Sequence, residues 1–160
     1  MGPRYAFYGD DFTGASDTLA TVAQAGLRAL LFLGVPDQRH LASAGALDVL
    51  GIAGTARSMA RDAMRDELSP VSRFLASLAV PVVHYKCCST FDSAPEIGNL
   101  AVAMRLLAAE STPRLMPIIG GQPSLGRYCF MGNLFAAASD GEVYRIDRHP
   151  TMSRHPVTPM

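Results

Sequence analysis

The most constraining feature of this chain is a repeated alternation of short apolar runs with stretches of helical periodicity. The runs are typical of buried strands and lie at residues 5–8, 29–33, 47–53, 80–85 and 115–119. Helical spacing of apolar residues falls between them, at 16–25, 59–78 and 95–109. Pro70 divides the second of these stretches and is suited to begin a new helix. Strand followed by helix, repeated, predicts a parallel sheet with helices on both faces.

The pattern changes after Gly121. Residues 127–136 and 142–146 are typical of two shorter strands, and the intervening turn at 138–141 predicts a hairpin beside the parallel sheet. Residues 147–160 include three prolines, lack core periodicity and are typical of a connecting segment. We therefore predict a three-layer α/β/α fold with a mostly parallel sheet and a short antiparallel C-terminal extension.

Composition and charge narrow the function classes. The chain has 160 residues, of which 49% are hydrophobic and 18% charged, a composition typical of a globular domain. Its formal net charge of zero favours neither nucleic acid nor a membrane as a partner. The N-terminus resembles no signal peptide, and three cysteines without CxxC spacing predict reduced thiols rather than a metal site. We expect a cytoplasmic protein. The sequence does not determine the oligomeric state, and a homo-oligomer is one of the options.

Polar side chains follow three of the predicted strands. Asp10, Asp11 and Thr13 come after the first strand, and Arg57 comes after the third. The fourth strand is followed by the densest cluster, formed by Lys86, Ser89, Thr90, Asp92 and Ser93. Ligands of parallel sheets bind beyond the carboxyl ends of the strands. We therefore expect these groups to share one site.

The residue types in the two clusters suit an anionic or polyhydroxylated small molecule. Thr13 or Ser16 could cap the following helix, whose first N–H groups would then favour an anion. Lys86 suits a carboxylate or a phosphate as a point charge, and Arg57 could bind a carboxylate in bidentate fashion. The plainer interpretation is a capped helix with two solvated acids, followed by a polar loop with a surface ion pair.

Common catalytic templates are absent from the sequence. It contains no GxxxxGK[ST] phosphate loop, no GxGxxG and no GxSxG. Asp11 followed by Phe12 and Thr13 is slightly similar to an aspartyl-phosphate nucleophile site. The adjacent Asp10, however, does not give the spacing of two acids that such phosphatases use. An aspartate-based phosphatase remains an alternative.

Two long motifs in order make the chain resemble the four-carbon acid sugar kinase family. The segment from Gly9 to Asp17 is similar to the family's N-terminal signature. The segment from Tyr85 to Ser93, followed by Gly98 and Asn99, resembles the second signature. Further similarity is found around Gly126 and Gly132 and from Asp147 onward. The resemblance covers essentially the whole chain.

This resemblance implies an ATP-dependent kinase that phosphorylates the terminal hydroxyl of a threonate, an erythronate or a 3-oxo-tetronate. Family members have an N-terminal domain for the sugar acid and a larger C-terminal domain for the nucleotide. Residues 1–146 would form the first, and 147–160 would begin the crossover to the second. ATP and Mg²⁺ would bind mainly in the C-terminal domain, so activity of this polypeptide alone is not expected.

The resemblance also suggests roles for the candidate residues. Asp11 or Asp92 would orient and deprotonate the accepting hydroxyl, while Lys86 and Arg57 would balance the substrate carboxylate and the incoming phosphate. The remaining substrate-binding candidates are Asp10, Thr13, Ser89, Thr90 and Ser93. The competing interpretation is a stand-alone sugar-acid-binding module, or an inactive remnant without catalysis.

Overall fold

A computed structural model of the protein describes residues 2–154. Within them, four parallel strands form one sheet in the order β2-β3-β1-β4. These strands are β1 (Tyr5–Gly9), β2 (Ala29–Phe32), β3 (Val49–Ala53) and β4 (Val82–Lys86). These strands confirm the ones predicted at 5–8, 29–33, 47–53 and 80–85. No strand end differs from its predicted position by more than two residues. Strand β1 lies between β3 and β4, which brings the three polar segments to the same edge.

Helices cover both faces of this sheet. Helix α1 (Phe12–Gln24) packs on one face, where Phe7, Val49 and Ala53 are buried against it. Helices α3 (Arg61–Ser77) and α4 (Leu100–Ser111) pack on the opposite face, over Ala6 and Tyr8. Neighbouring residues of β1 point to opposite faces, as the period of a strand requires. The predicted three-layer α/β/α arrangement is confirmed.

Helix α3 runs through Pro70 without interruption, so the predicted new helix at that residue is wrong. Proline in a helix interior removes one backbone hydrogen bond. The buried face of α3 compensates, because Met64, Leu68 and Leu75 are fully enclosed in the core while Pro70 is exposed. Burying a side chain of this size contributes roughly 1.5–3 kcal/mol. Tertiary packing therefore outweighs the local preference.

Two other regions differ from the prediction. Residues 115–119 form no strand and are exposed, and Pro117 in this run cannot donate to a strand ladder. Helix α2 (Gln38–Ala44) was not predicted, because Leu41 is its only large apolar residue. Asp37 caps this helix by accepting a hydrogen bond from the His40 N–H at 2.8 Å.

The C-terminal extension is a separate antiparallel sheet with the order β5-β6-β7 in the described residues. It consists of β5 (Arg127–Phe130), β6 (Asn133–Ala137) and β7 (Val143–Arg145). The predicted single strand at 127–136 is therefore two strands, which reverse at Met131 and Gly132, both with positive φ. The turn predicted at 138–141 is present and is closed by the Ala138 N–H bonded to the Glu142 carbonyl.

This small sheet supports the loop that follows β4. Leu134 and Ala136 of β6 form a buried cluster with Ile146 and with Phe91 of that loop. Residues 147–154 continue in short 3₁₀ turns around the buried His149. Residues 155–160 lie outside the described residues, so the start of an interdomain connection at 147–160 stays a prediction.

Candidate functional site

The segments that follow β1, β3 and β4 are joined by backbone hydrogen bonds at the carboxyl edge of the sheet. The Asp10 N–H donates to the Lys86 carbonyl at 3.0 Å, and the Arg57 N–H donates to the Asp10 carbonyl at 3.2 Å. The chain leaves β1 toward one face and leaves β3 and β4 toward the other. Such a change of side opens the crevice in which doubly wound folds bind ligands.

Arg57 lies at the centre of this crevice between two carboxylates. Its Nε and Nη2 donate to Asp92 Oδ2 at 3.0 and 2.8 Å, and its Nη1 donates to Asp11 Oδ2 at 3.2 Å. The Asp92 side chain is 0% exposed, whereas those of Arg57 and Asp11 are each 20% exposed. Thr90 Oγ1 donates to Asp92 Oδ2 at 2.6 Å. Asp92 therefore binds Arg57 from the enclosed side of the crevice, and Asp11 faces the opening.

Asp11 also caps helix α1. Its Oδ1 accepts the Gly14 N–H at 2.5 Å, so the predictions that Thr13 or Ser16 caps this helix are wrong. The Ser16 hydroxyl instead donates to the Phe12 carbonyl within the helix, and Thr13 is exposed. Asp, Ser and Thr are all good caps, so the sequence does not identify which one sits at the first turn. With one oxygen on the helix and one on Arg57, Asp11 is not a solvated acid.

Asp10 is a deeply buried acid with an open hydrogen-bonding position. Only 2% of the residue is exposed, and its Oδ1 has no hydrogen-bond partner among the described residues. Burial, together with the nearby charge of Asp11, raises the pKa of this carboxyl to about 7. Arg57 and Lys86 oppose this shift without cancelling it. At neutral pH the carboxyl is therefore partly protonated.

The remaining candidates differ in how they relate to the crevice. Lys86 Nζ donates to the Cys87 carbonyl at 2.9 Å, and its stem lies beside Gly14. Ser89 is half-buried in the same loop. Ser93 Oγ accepts the Leu100 N–H at 3.2 Å, which ties the loop to the start of α4. The geometry thus gives Ser93 a structural contact, and its role in substrate binding stays a prediction.

A glycine lets this loop approach Arg57 closely. Gly98 has a φ of +58°, and a Cβ placed there would lie 2.2 Å from the Arg57 carbonyl oxygen. Its N–H donates to the Met59 carbonyl at 3.0 Å. Any side chain at this position would force the loop that carries Asp92 away from Arg57.

Sequence reasoning missed a second polar contact beside the crevice. The Tyr8 hydroxyl donates to Glu67 Oε1, which also accepts the Thr55 N–H at 3.1 Å. A cleft of about 390 Å³ opens next to this contact, and Phe12 and Leu33 lie on its apolar wall. Glu67 lies within a helical stretch with no motif around it, so the sequence carries no signal for this role.

Neither a metal-binding cluster nor a membrane-spanning helix is found among residues 2–154. Across residues 2–154, the structure brings together no three His, Cys, Asp or Glu side chains in a way that could hold a metal ion. Within the same range, each helix is too short or too polar to cross a membrane.

Comparisons with known proteins place the chain in a family. The family model described as sugar-binding N-terminal domain matches residues 5–160. The chain is 46% identical over 159 residues to the 3-oxo-isoapionate kinase of Paraburkholderia graminis, covering 99% of the chain and 34% of that protein. It is 33% identical over 152 residues to the 3-oxo-tetronate kinase of Methylobacterium radiotolerans, covering 94% of the chain and 34% of that protein.

A solved structure supports the same fold. A Salmonella typhimurium LT2 protein provisionally described as a tRNA synthase superposes with a TM-score of 0.83 at 25% identity, covering 100% of this chain and 36% of that one. The chain thus spans about a third of the length of the relatives that it matches. It belongs to the sugar-binding N-terminal domain family, the N-terminal part of the four-carbon acid sugar kinases.

Proposed function

We propose that this chain is the sugar-acid-binding part of an ATP-dependent kinase that phosphorylates the terminal hydroxyl of a 3-oxo sugar acid. The observation that carries the proposal is Arg57, held in an open crevice by Asp11 and Asp92. A guanidinium fixed in this way suits a carboxylate, which it can bind through parallel hydrogen bonds. The 46% identity to a 3-oxo-isoapionate kinase, against 33% to a 3-oxo-tetronate kinase, makes 3-oxo-isoapionate the first acid to test.

The exposure of the two acids distinguishes their proposed roles. Asp11 faces the opening and is the better placed to orient and deprotonate the accepting hydroxyl, whereas the enclosed Asp92 positions Arg57. Arg57 and Lys86 would attract the substrate carboxylate and offset charge on the transferred phosphoryl group. Phosphoryl transfer depends mainly on such positioning and charge neutralisation.

ATP and Mg²⁺ would be supplied by a further part of a longer protein. The relatives are about three times as long as this chain, and its sequence contains no glycine-rich phosphate loop. Mg²⁺ would neutralise charge on the nucleotide phosphates when bound. We propose that the chain binds its sugar acid alone, transfers phosphate only together with that further part, and acts in the ATP-rich cytoplasm.

A thermal-shift screen against four-carbon sugar acids and 3-oxo-isoapionate tests the binding step. A ligand that binds only the native state raises the melting temperature, and the shift grows with the logarithm of its concentration once this exceeds Kd. We expect a shift with at least one acid, its loss in Arg57→Met, and its retention in Arg73→Met, which changes an exposed arginine on α3. If none of the acids shifts the wild-type protein, the proposal is wrong.

The alternatives predict different outcomes. A stand-alone binding module would bind the acid, but no phosphate transfer would occur when the chain is joined to a nucleotide-binding partner domain. A phosphatase would release phosphate from esters without ATP.

A further inference from the structure

Asp10 is a buried acid that has no role in the phosphate transfer or the carboxylate binding proposed above. It is two residues beyond Tyr8 and continues the alternation of β1, so its side chain points to the face covered by α3 and α4. The neighbouring groups agree with this placement. Burial, together with the nearby charge of Asp10, raises the pKa of the Cys87 thiol to about 12.

Charged and titratable groups from several elements face Asp10. They are Tyr8 on β1, Asp11 at the start of α1, Arg57 after β3, Tyr85 and Lys86 on β4, and Cys87 and Asp92 in the loop after β4. Glu67 of α3 lies behind Tyr8, whose hydroxyl donates to it. Of these groups, only Arg57 and Lys86 carry positive charge.

The count of charges in the crevice is unfavourable to an anionic ligand. Among residues 2–154, Asp10, Asp11 and Asp92 supply three carboxyl groups against the two cations Arg57 and Lys86, and Arg57 is already engaged by two of those carboxylates. A sugar acid adds one more negative charge. Asp11 and Asp92 are hydrogen-bonded to Arg57, whereas the buried Oδ1 of Asp10 has no hydrogen-bond partner among the described residues, so its lost hydration is compensated only in part by the two cations. Asp10 is therefore the group from which a charge is most easily removed.

We propose that Asp10 takes up one proton from solvent when the carboxylate of the sugar acid binds in the Arg57 crevice. The bound anion offsets the positive charge of Arg57 and Lys86, which otherwise favours the ionised form of Asp10. The carboxylate of Asp10 becomes a neutral carboxylic acid, and the net charge of the crevice is unchanged. This inference rests on the proposed function, since it needs an anionic ligand at this place.

Proton uptake has a definite pH dependence. Below neutral pH Asp10 already holds its proton, so binding takes up none. Above pH 7 the free protein has lost that proton and must regain it on binding. Linkage then lowers the affinity by up to about tenfold for each pH unit, if one proton is taken up. Asp10→Asn, which is neutral at every pH, should bind with an affinity that does not change through this range.

Calorimetry in buffers of different ionisation enthalpy measures the uptake directly. The titrations use wild type, Asp10→Asn and Asp66→Asn at pH 6 and pH 8, with D-threonate, D-erythronate and 3-oxo-isoapionate as probes. Asp66 is an exposed acid on α3 and serves as the matched control. We expect about one proton at pH 8 for wild type and Asp66→Asn under full coupling, and none for Asp10→Asn, which should bind at least as tightly as wild type there.

Each result decides the inference. Binding without proton uptake by wild type at pH 8, or equal uptake by Asp10→Asn, would overturn it and leave the proposed function intact. Failure of every acid to bind wild type at both pH values would overturn the proposed function and this inference with it. If Asp10→Asn does not fold, carbon-13 spectra of wild type replace it. One aspartate carboxyl should titrate near neutral pH when free and stay protonated at pH 8 when saturated with acid, and an unchanged titration would refute the coupling.

Discussion

Replacing Asp10 with asparagine should stabilise the ligand-free protein more at pH 8 than at pH 5. The folded protein holds the pKa of this carboxyl at about 7, against an ordinary value of 3.8, chiefly because of burial. A raised folded-state pKa means that the folded state binds the proton more tightly than the unfolded chain does. The stability that this carboxyl contributes is present below pH 3.8 and is lost as pH rises toward 7. Asparagine has nearly the same shape and loses no proton.

The magnitude follows from the two pKa values. At pH 5 the unfolded chain has already released the proton while the folded protein still holds it, and by pH 8 both have released it. One pKa unit corresponds to about 1.4 kcal/mol, so wild type should lose about 2–3 kcal/mol from this group between pH 5 and pH 8. The advantage of Asp10→Asn over wild type should grow by the same amount. Constant effects of the amide cancel, because only the change with pH is compared.

Urea unfolding of wild type, Asp10→Asn and Asp66→Asn at the two pH values measures this difference. Linear extrapolation gives the free energy of unfolding for each protein. The exposed control should follow wild type within about 0.5 kcal/mol at both pH values. A difference between Asp10→Asn and wild type that is the same at pH 5 and pH 8 would refute the reasoning, because Asp10 would then have an ordinary pKa.

Three further substitutions test the site. Gly98→Ala should destabilise the protein in urea by roughly 1–3 kcal/mol more than Gly45→Ala. Both glycines have positive φ, but of the two only Gly98 would place its new Cβ against a carbonyl oxygen, at 2.2 Å. Equal losses of stability would contradict the steric argument. Asp11→Asn, in a longer protein that carries the nucleotide-binding part, should lower kcat by about 10²–10⁴-fold with little change in sugar-acid affinity; an unchanged kcat would exclude Asp11 as the base. Ser93→Ala should cost about 1 kcal/mol of stability by removing the contact to α4. A large loss of sugar-acid affinity in calorimetry would show that Ser93 is a substrate contact instead.

The strands were predictable because a parallel sheet buries both of its faces. The run at 5–8 and most of the run at 47–53, namely residues 49–53, are apolar throughout, and each forms a central strand. The run at 115–119 is also apolar, but Pro117 within it has no N–H to donate to a strand ladder, and the run stays exposed. The division of 127–136 into two strands depends on two residues with positive φ, of which only Gly132 is suggestive in the sequence.

The candidate site was predictable in its position but not in its contacts. The rule that ligands lie beyond the carboxyl ends of parallel strands brings Asp10, Arg57 and Lys86 to one edge. The depth of a side chain below that edge depends on how later segments fold over it. The burial of Asp10 and the enclosure of Asp92 therefore could not be read from residue types. The same holds for Glu67, which contacts Tyr8 from an ordinary helix on the same face of the sheet.

A titration of the nitrogen-15-labelled chain with its tightest-binding sugar acid tests the central claim most directly, because it reports where the acid binds. We predict amide chemical-shift changes concentrated in residues 9–14, 54–58 and 86–93, the segments that meet around Arg57. The same titration of Arg57→Met should show little change at equal concentration. Changes confined to other regions, such as the outer face of the β5-β6-β7 sheet, would contradict the account.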